Sequence, residues 1–374
     1  MQPTHRPGGF LAIFLLPIAL LSACSPPEPA APVDTYDRAA DSLRFDGETH
    51  LRNIRQLTFG GNNAEAYWSY DGKQLTFQSD WSAINSQGCD QIFVLNVDGS
   101  NYADGSTYKE ISNGTGRTTC SYFMPDGSVL YASTHAANPA CPAPAAFPAG
   151  RYVWPIYDTY DIYVRPADGS EAHVLIGGDG YDAEATVSPD GRYAIFTSTR
   201  SGDLELWRYE FATGDLLQLT NTLGYDGGAF FSPDGSQIVW RASRPTGEDA
   251  DVYKDLLADG FVEPKSLNVF VANNDGSNVR QVTDLPGANW APFFHPDGKR
   301  ILFSSNHHDT ESGRQFAVFM IDMDGSNLTQ ITHSGTFDAF PMFSPDGKYL
   351  AFASNRTLGP PSRDTNVFVA EWVE

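Results

Sequence analysis

Apolar and polar residues alternate along this chain in short runs, and the runs recur in one fixed order. A tight turn comes first, at Ser69-Tyr-Asp-Gly72, Met124-Pro-Asp-Gly127, Ser188-Pro-Asp-Gly191, Ser232-Pro-Asp-Gly235, His295-Pro-Asp-Gly298 and Ser344-Pro-Asp-Gly347. Each turn is followed by an apolar run that reaches an aromatic: Phe77, Tyr131, Phe196, Trp240, Phe303 and Phe352. Short β-rich runs bounded by such turns predict strands, and Asp-Gly supplies the positive φ that tight hairpins require. A third strand follows in each unit, as in Gln91–Asn96 and Leu267–Val271, and a second Asp-Gly-Ser turn comes after it at Asp98, Asp168, Asp275 and Asp324. The fourth strand ends on threonine at Thr220, Thr283 and Thr332. Asp322 to Asn327 superficially resembles a calcium loop, but its cousins occupy the same hairpin position, so it is read as a turn.

Four antiparallel strands recurring every 44 to 64 residues, counted between turn aspartates, predict the blades of a propeller rather than a sandwich. The sixth repeat stops after its third strand at Trp372-Val-Glu374, whereas the first strand, Leu51–Thr58, is of the fourth-strand type. The expectation is an all-β fold over residues 51–374: a six-bladed β-propeller of four-stranded antiparallel blades, closed by the N-terminal strand completing the last blade. Such closure removes an exposed edge.

These repeats resemble the TolB-type propeller repeat over residues 51–374. The resemblance implies the ring. The α/β domain that precedes the propeller in TolB has no counterpart in the short segment ahead of Leu51, and no Gly-x-Ser-x-Gly nucleophile elbow occurs in the sequence. A lipoprotein form of the propeller is therefore expected.

The N-terminus supports that form. His5 and Arg6 precede the apolar stretch Phe10–Leu21, which is short for a membrane span and is interrupted by Pro17. Leu21-Ser-Ala-Cys24 then resembles a bacterial lipobox, and a proline-rich stretch follows it. The chain is read as a lipoprotein signal peptide at 1–23, an acylated Cys24 with a flexible tether to residue 50, and the propeller. Membrane contact is expected through the lipid only. In a diderm bacterium, Ser25 after the cysteine resembles the pattern of an outer-membrane lipoprotein facing the periplasm. Export permits a disulfide, and Cys89, Cys120 and Cys141 allow three pairings among which the sequence does not choose. The net charge of −22 excludes nucleic acid as a partner and favours cations, basic proteins or neutral ligands.

Aligning the repeats on their turns exposes where the copies differ. Seven residues before the proline position stand Asn63, Thr118, Asp182, Asp226, Asn289 and Asp338. Beyond the following strand stand Trp81, His135, Arg200, Arg244, His307 and Arg356. Blades 3, 4 and 6 thus offer structural ion pairs: Asp182 with Arg200, Asp226 with Arg244, and Asp338 with Arg356. The neutral substitutes Trp81, His135, Asn289 and His307 suit ligand recognition. Five residues before the turn, blades 1 and 3 carry Glu65 and Glu184 on inner strands, where a carboxylate needs a partner or a water-filled channel.

The face that bears these columns also bears two long insertions, His135–Tyr160 and Arg244–Ser266. The first carries Arg151–Tyr157 as an aromatic lid, and the second a short amphipathic helix at Gly247–Leu257. Glu65, Trp81, His135, Glu184, Asn289 and His307 are accordingly expected to bind a ligand on this face. The expected partner is an envelope protein, a peptide or a glycan, in a scaffold or binding role. The alternative is a channel-mouth enzyme acting on a carbohydrate, similar to propeller-type oligogalacturonate lyases. A divalent cation in the channel is the one cofactor considered, although the histidines form no evident metal triad.

Overall fold

A computed structural model describes residues 41–143, 147–357 and 363–374. The expected signal peptide, Cys24 and the first part of the expected tether lie outside the described residues.

The described chain forms six four-stranded antiparallel sheets. The inner strands are Asn63–Trp68, Thr118–Phe123, Asp182–Val187, Asp226–Phe231, Asn289–Phe294 and Asp338–Phe343, in blades 1 to 6. In blades 1 to 5 the chain then runs outward strand by strand. In blade 6 the outermost place is taken by Leu51–Gln56, which pairs antiparallel with Asn366–Trp372, Leu51 standing opposite Trp372. The ring is therefore closed by its N-terminal strand.

The repeated turn has a local cause. The aspartate carboxylate accepts the backbone N–H two residues on, as in Asp190 from Arg192 at 3.1 Å, and the preceding serine donates to the same carboxylate, Ser188 to Asp190 at 2.6 Å. Glycine follows at φ of +70° in Gly191 and Gly347, a conformation that a side chain disfavours. Asp324 closes its hairpin in the same way, accepting from the Ser326 N–H at 3.0 Å, which makes the segment resembling a calcium loop a turn. The six strand-ending aromatics, Phe77 to Phe352, are all fully buried and form the core layer between blades.

Residues 41–50 depart from the expected tether. Glu48 is fully buried and meets the equally buried Arg356 at 2.9 Å, while His50 stacks on Trp372 with ring centroids 4.9 Å apart. The segment ahead of the first strand thus packs on blade 6 because the Arg356 guanidinium has more N–H donors than Asp338 alone accepts, and the Glu48 carboxylate and the Leu43 carbonyl take the others.

Candidate functional site

All six inner strands share one irregularity. Their pairing with the second strand slips by one residue, between Ala64 and Tyr67 in blade 1 and at the equivalent place in the others. The extra residue has positive φ each time: Glu65 at 53°, Cys120 at 50°, Glu184 at 60°, Gly228 at 59°, Ala291 at 48° and Phe340 at 56°. Five of these are not glycine, so the ring stores backbone strain at one level. A bulge re-aims its residue, and here all six line a single central cavity of about 1310 Å³. The N–H groups freed from the ladder find side chains on the preceding blade. Cys120 N–H donates to Gln78 at 3.2 Å, Gly228 N–H to Glu184 at 2.8 Å, and Phe340 N–H to Ser304 at 3.0 Å.

The ring is chemically divided. Blades 1 to 3 contribute Glu65, Cys120 and Glu184, and blades 5 and 6 contribute Ala291 and Phe340. In blade 4 the missing side chain of Gly228 makes room for Arg241, because a Cβ there would stand 1.8 Å from the Arg241 Nη1. Arg241 Nη2 meets Glu184 at 2.5 Å and also donates to the Tyr225 hydroxyl. Glu184 accepts further hydrogen bonds from Thr197 at 2.6 Å and from the Tyr225 hydroxyl at 2.7 Å. Burial works to raise the Glu184 carboxyl, but the Arg241 charge and these donors outweigh it and hold it below its ordinary value. Glu65 is the opposite case. Burial pushes it up to about 7, with the Glu184 charge adding to the rise and the Cys120 thiol, Arg241 and the Tyr67 hydroxyl opposing it. Burial also raises the Cys120 thiol well above its usual range.

The two insertions close over this ring. Trp154–Pro155 pairs antiparallel with Phe261–Val262, so the blade 2 insertion and the blade 4 insertion share a small sheet. Arg151 bridges to Glu263 at 3.0 Å. Trp154 turns its edge toward Tyr225 and Trp290, and Trp154, Ile156 and Tyr157 line the cavity. The expected helix forms at Glu248–Ala258, buries Tyr253 and Leu256, and is anchored by the Tyr253 hydroxyl on Asp203 at 2.5 Å. Among the three cysteines considered, Cys89 and Cys141 are bonded, which ties the blade 2 insertion to blade 1, and Cys120 stays outside the pair.

Of the six expected ligand contacts, the structure brings only Glu65 and Glu184 to the cavity wall. Trp81, His135, Asn289 and His307 do not line it. The reason is a serine at the end of the second strand. Ser305 donates to Asn289 at 2.6 Å and meets His307 Nδ1 at 2.8 Å, while the His307 ring packs on Phe319. Ser133 holds His135 Nδ1 at 2.7 Å, with Tyr163 against its ring. Ser79 donates to Asn63, and Trp81 rests edge-on against Tyr108. Burial lowers both histidines below their ordinary value, so they cap these blades as neutral rings. The charged blades use the same place. Arg200 meets Asp182 at 2.7 Å, Arg244 meets Asp226 at 2.7 Å, and Arg356 meets Asp338 at 3.2 Å.

Sequence columns missed Arg241, Tyr225 and Trp290. Arg241 had a signal, as a charge inside the apolar run Ile238–Ala242 opposite a glycine. Among the described residues no group of three His, Cys, Asp or Glu side chains could hold a metal ion, and no helix is long and apolar enough to cross a membrane.

Comparison with known proteins agrees with this architecture. The TolB beta propeller domain family model matches residues 257–362. A Tol-Pal system protein TolB from Francisella tularensis subsp. holarctica is 29% identical over 187 residues, which is 42% of this chain and 43% of the relative. The match thus spans less than half the length of that relative. The crystal structure of TolB from Acinetobacter baumannii superposes with a TM-score of 0.52 at 20% identity, covering 76% of this chain and 57% of that one. An oligogalacturonate lyase from Vibrio parahaemolyticus aligns at a TM-score of 0.47 and 13% identity, over 85% of this chain and 93% of its own, too distant to carry an argument about chemistry. The chain is a six-bladed propeller whose residues 257–362 match the TolB beta propeller domain.

Proposed function

We propose that this propeller is a binding protein of the cell envelope that takes a segment of a protein partner into its central cavity. The observation that carries the reading is the cavity itself, about 1310 Å³ across the ring axis and walled by Trp154, Tyr225, Trp290 and Phe340 beneath two insertions that pair with each other. Aromatic walls with few convergent polar groups are what a bound segment needs, since large apolar area supplies affinity and the polar groups fix orientation. The volume exceeds what a single sugar ring or metal ion fills. Phe147 and Tyr152 extend the apolar surface outward from the mouth, at 56% and 74% exposure. Similarity to Tol-Pal system proteins supports an envelope partner, and an acylated Cys24 would hold the ring at a membrane. A glycan partner is less favoured because the ring's polar groups lie in one half only.

The test is a photo-crosslinking amino acid placed at Tyr152, at the mouth, and separately at Leu217, on an outer blade edge. The proposal expects one envelope protein to crosslink from position 152 and not from 217, with the crosslink confined to one short segment of that protein. Crosslinks from 217 alone would place the partner elsewhere.

A further inference from the structure

We propose that the polar half of the bulge ring receives one protonated amine of the bound segment, with Glu65 as its carboxylate partner. This rests on the reading of the cavity as the binding site, and it names the chemistry recognised there.

The ring contains two carboxylates in different circumstances. Glu184 is saturated: Arg241, Thr197, Tyr225 and the Gly228 N–H all donate to it. Glu65 accepts from the Tyr67 hydroxyl at 3.2 Å and faces the Cys120 thiol, both weak neutral donors. No cation of the chain pairs with it among the described residues. Arg241, the cation nearest in effect, is committed to Glu184. The other inner strands present no charge here, since their ring members are Ala291 and Phe340. The groups facing Glu65 are therefore Tyr67 on its own strand, Cys120 on blade 2, Glu184 on blade 3 and Arg241 reaching in from blade 4.

A second observation points the same way. Arg241 is 7% exposed, yet its Nε has no hydrogen-bond partner. The polar half of the bulge ring sets two carboxylates, Glu65 and Glu184, against the single guanidinium of Arg241. A ligand that brings an ammonium group to Glu65 supplies the missing cation. The apolar half, with Trp290 and Phe340, then receives the carbon body next to the amine.

The linkage gives the experiment its sign. Burial holds Glu65 up to about 7, so about a tenth of it is ionised at pH 6 and about nine-tenths at pH 8. A cation that binds only the carboxylate therefore gains about tenfold in affinity over that interval. The probe is 2-phenylethylamine, which stays protonated throughout, against neutral 2-phenylethanol, titrated calorimetrically into the full chain. The amine should bind about tenfold tighter at pH 8 than at pH 6, the alcohol should show no pH dependence, and Glu65→Gln should bring the amine down to the alcohol's flat profile. N-acetyl-lysinamide, run alongside, reports whether a lysine side chain serves as the amine source. Wild-type binding of the amine that is flat with pH, amine and alcohol binding alike, Glu65→Gln behaving as wild type, or no amine binding at pH 8 would each overturn the assignment. Melting curves of Glu65→Gln, expected at or above the wild type, keep a folding defect from being read as loss of the site. A partner segment that crosslinks at the mouth while the amine arm fails removes this inference alone. Amine binding without any crosslinked segment removes the protein-partner reading instead.

Discussion

Arg241 leaves blade 4 to pair with Glu184 of blade 3 at 2.5 Å, and each is at most a tenth exposed. The contact crosses a blade boundary at the level where all six inner strands bulge. Removing one partner leaves the other as a lone buried charge, which typically costs about 3–5 kcal/mol. Arg241→Met should therefore destabilise by about that amount in urea unfolding. The double variant Arg241→Met with Glu184→Gln should lose clearly less than the sum of the single changes. Additive losses would show that the two groups act independently.

Much of the fold was legible because propeller packing repeats through side chains of fixed type. The aromatic column from Phe77 to Phe352 reads directly as core, and the fourth-type strand at Leu51 reads directly as closure. The bulge ring was not legible, because Glu65, Cys120, Glu184, Gly228, Ala291 and Phe340 share no side-chain chemistry. They share a backbone conformation, which the residues obey without advertising it. Arg241 was missed for a related reason: the columns compare blades, whereas its partner lies on a neighbour. Histidines and tryptophan drew attention as versatile ligands, but Ser133 and Ser305 engage the two histidines within their blades.

In blade 5 Ser305 joins Asn289 and His307 where blades 3, 4 and 6 hold an ion pair. Asn289→Asp combined with His307→Arg should rebuild the ion pair found in blades 3, 4 and 6. A buried pair can at best break even against its neutral replacement, and Asn289→Asp removes the donor that Asn289 gives to the Leu267 and Leu285 carbonyls, so the double variant should fold with a loss of about 1–3 kcal/mol. Its binding of the crosslinked segment should be unchanged. Loss of binding in a normally folded double variant would return His307 to the site.

Glu205, on the third strand of blade 3, is 2% exposed, and its Oε2 has no hydrogen-bond partner. Burial pushes it up to about 7, and nearby Asp226 and Asp203 add to the rise while Thr220 and Arg244 oppose it. A carboxyl raised in the folded state favours folding at acid pH and loses that advantage as pH climbs through its folded value. Stability should thus fall between about pH 4.5 and pH 7 on account of this group. Glu205→Gln should raise the melting temperature at pH 8 and leave it nearly unchanged at pH 4. An equal shift at both pH values would contradict the assignment.

Glu48 extends the closure of the ring beyond its strand. Glu48→Ala leaves Arg356 paired with Asp338 but strips the acceptor from its other buried N–H donors, and should cost about 1–3 kcal/mol. Deleting the chain through Thr58 should cost more, because it also bares the edge of Asn366–Trp372. A truncated protein that melts like the full chain would require another closure.

The binding of a protein segment in the cavity is tested most directly by one affinity. The segment identified by crosslinking from position 152 is titrated into wild type and into Trp154→Ala, with Leu217→Asp as the outer-edge control. Trp154 stands at the join of the two insertions, edge-on to Tyr225 and Trp290. Loss of a buried aromatic anchor typically costs about 2 kcal/mol or more in binding, which is at least tenfold in Kd. The account predicts that loss for Trp154→Ala and an unchanged Kd for Leu217→Asp. Wild-type affinity in the folded Trp154→Ala variant would contradict it.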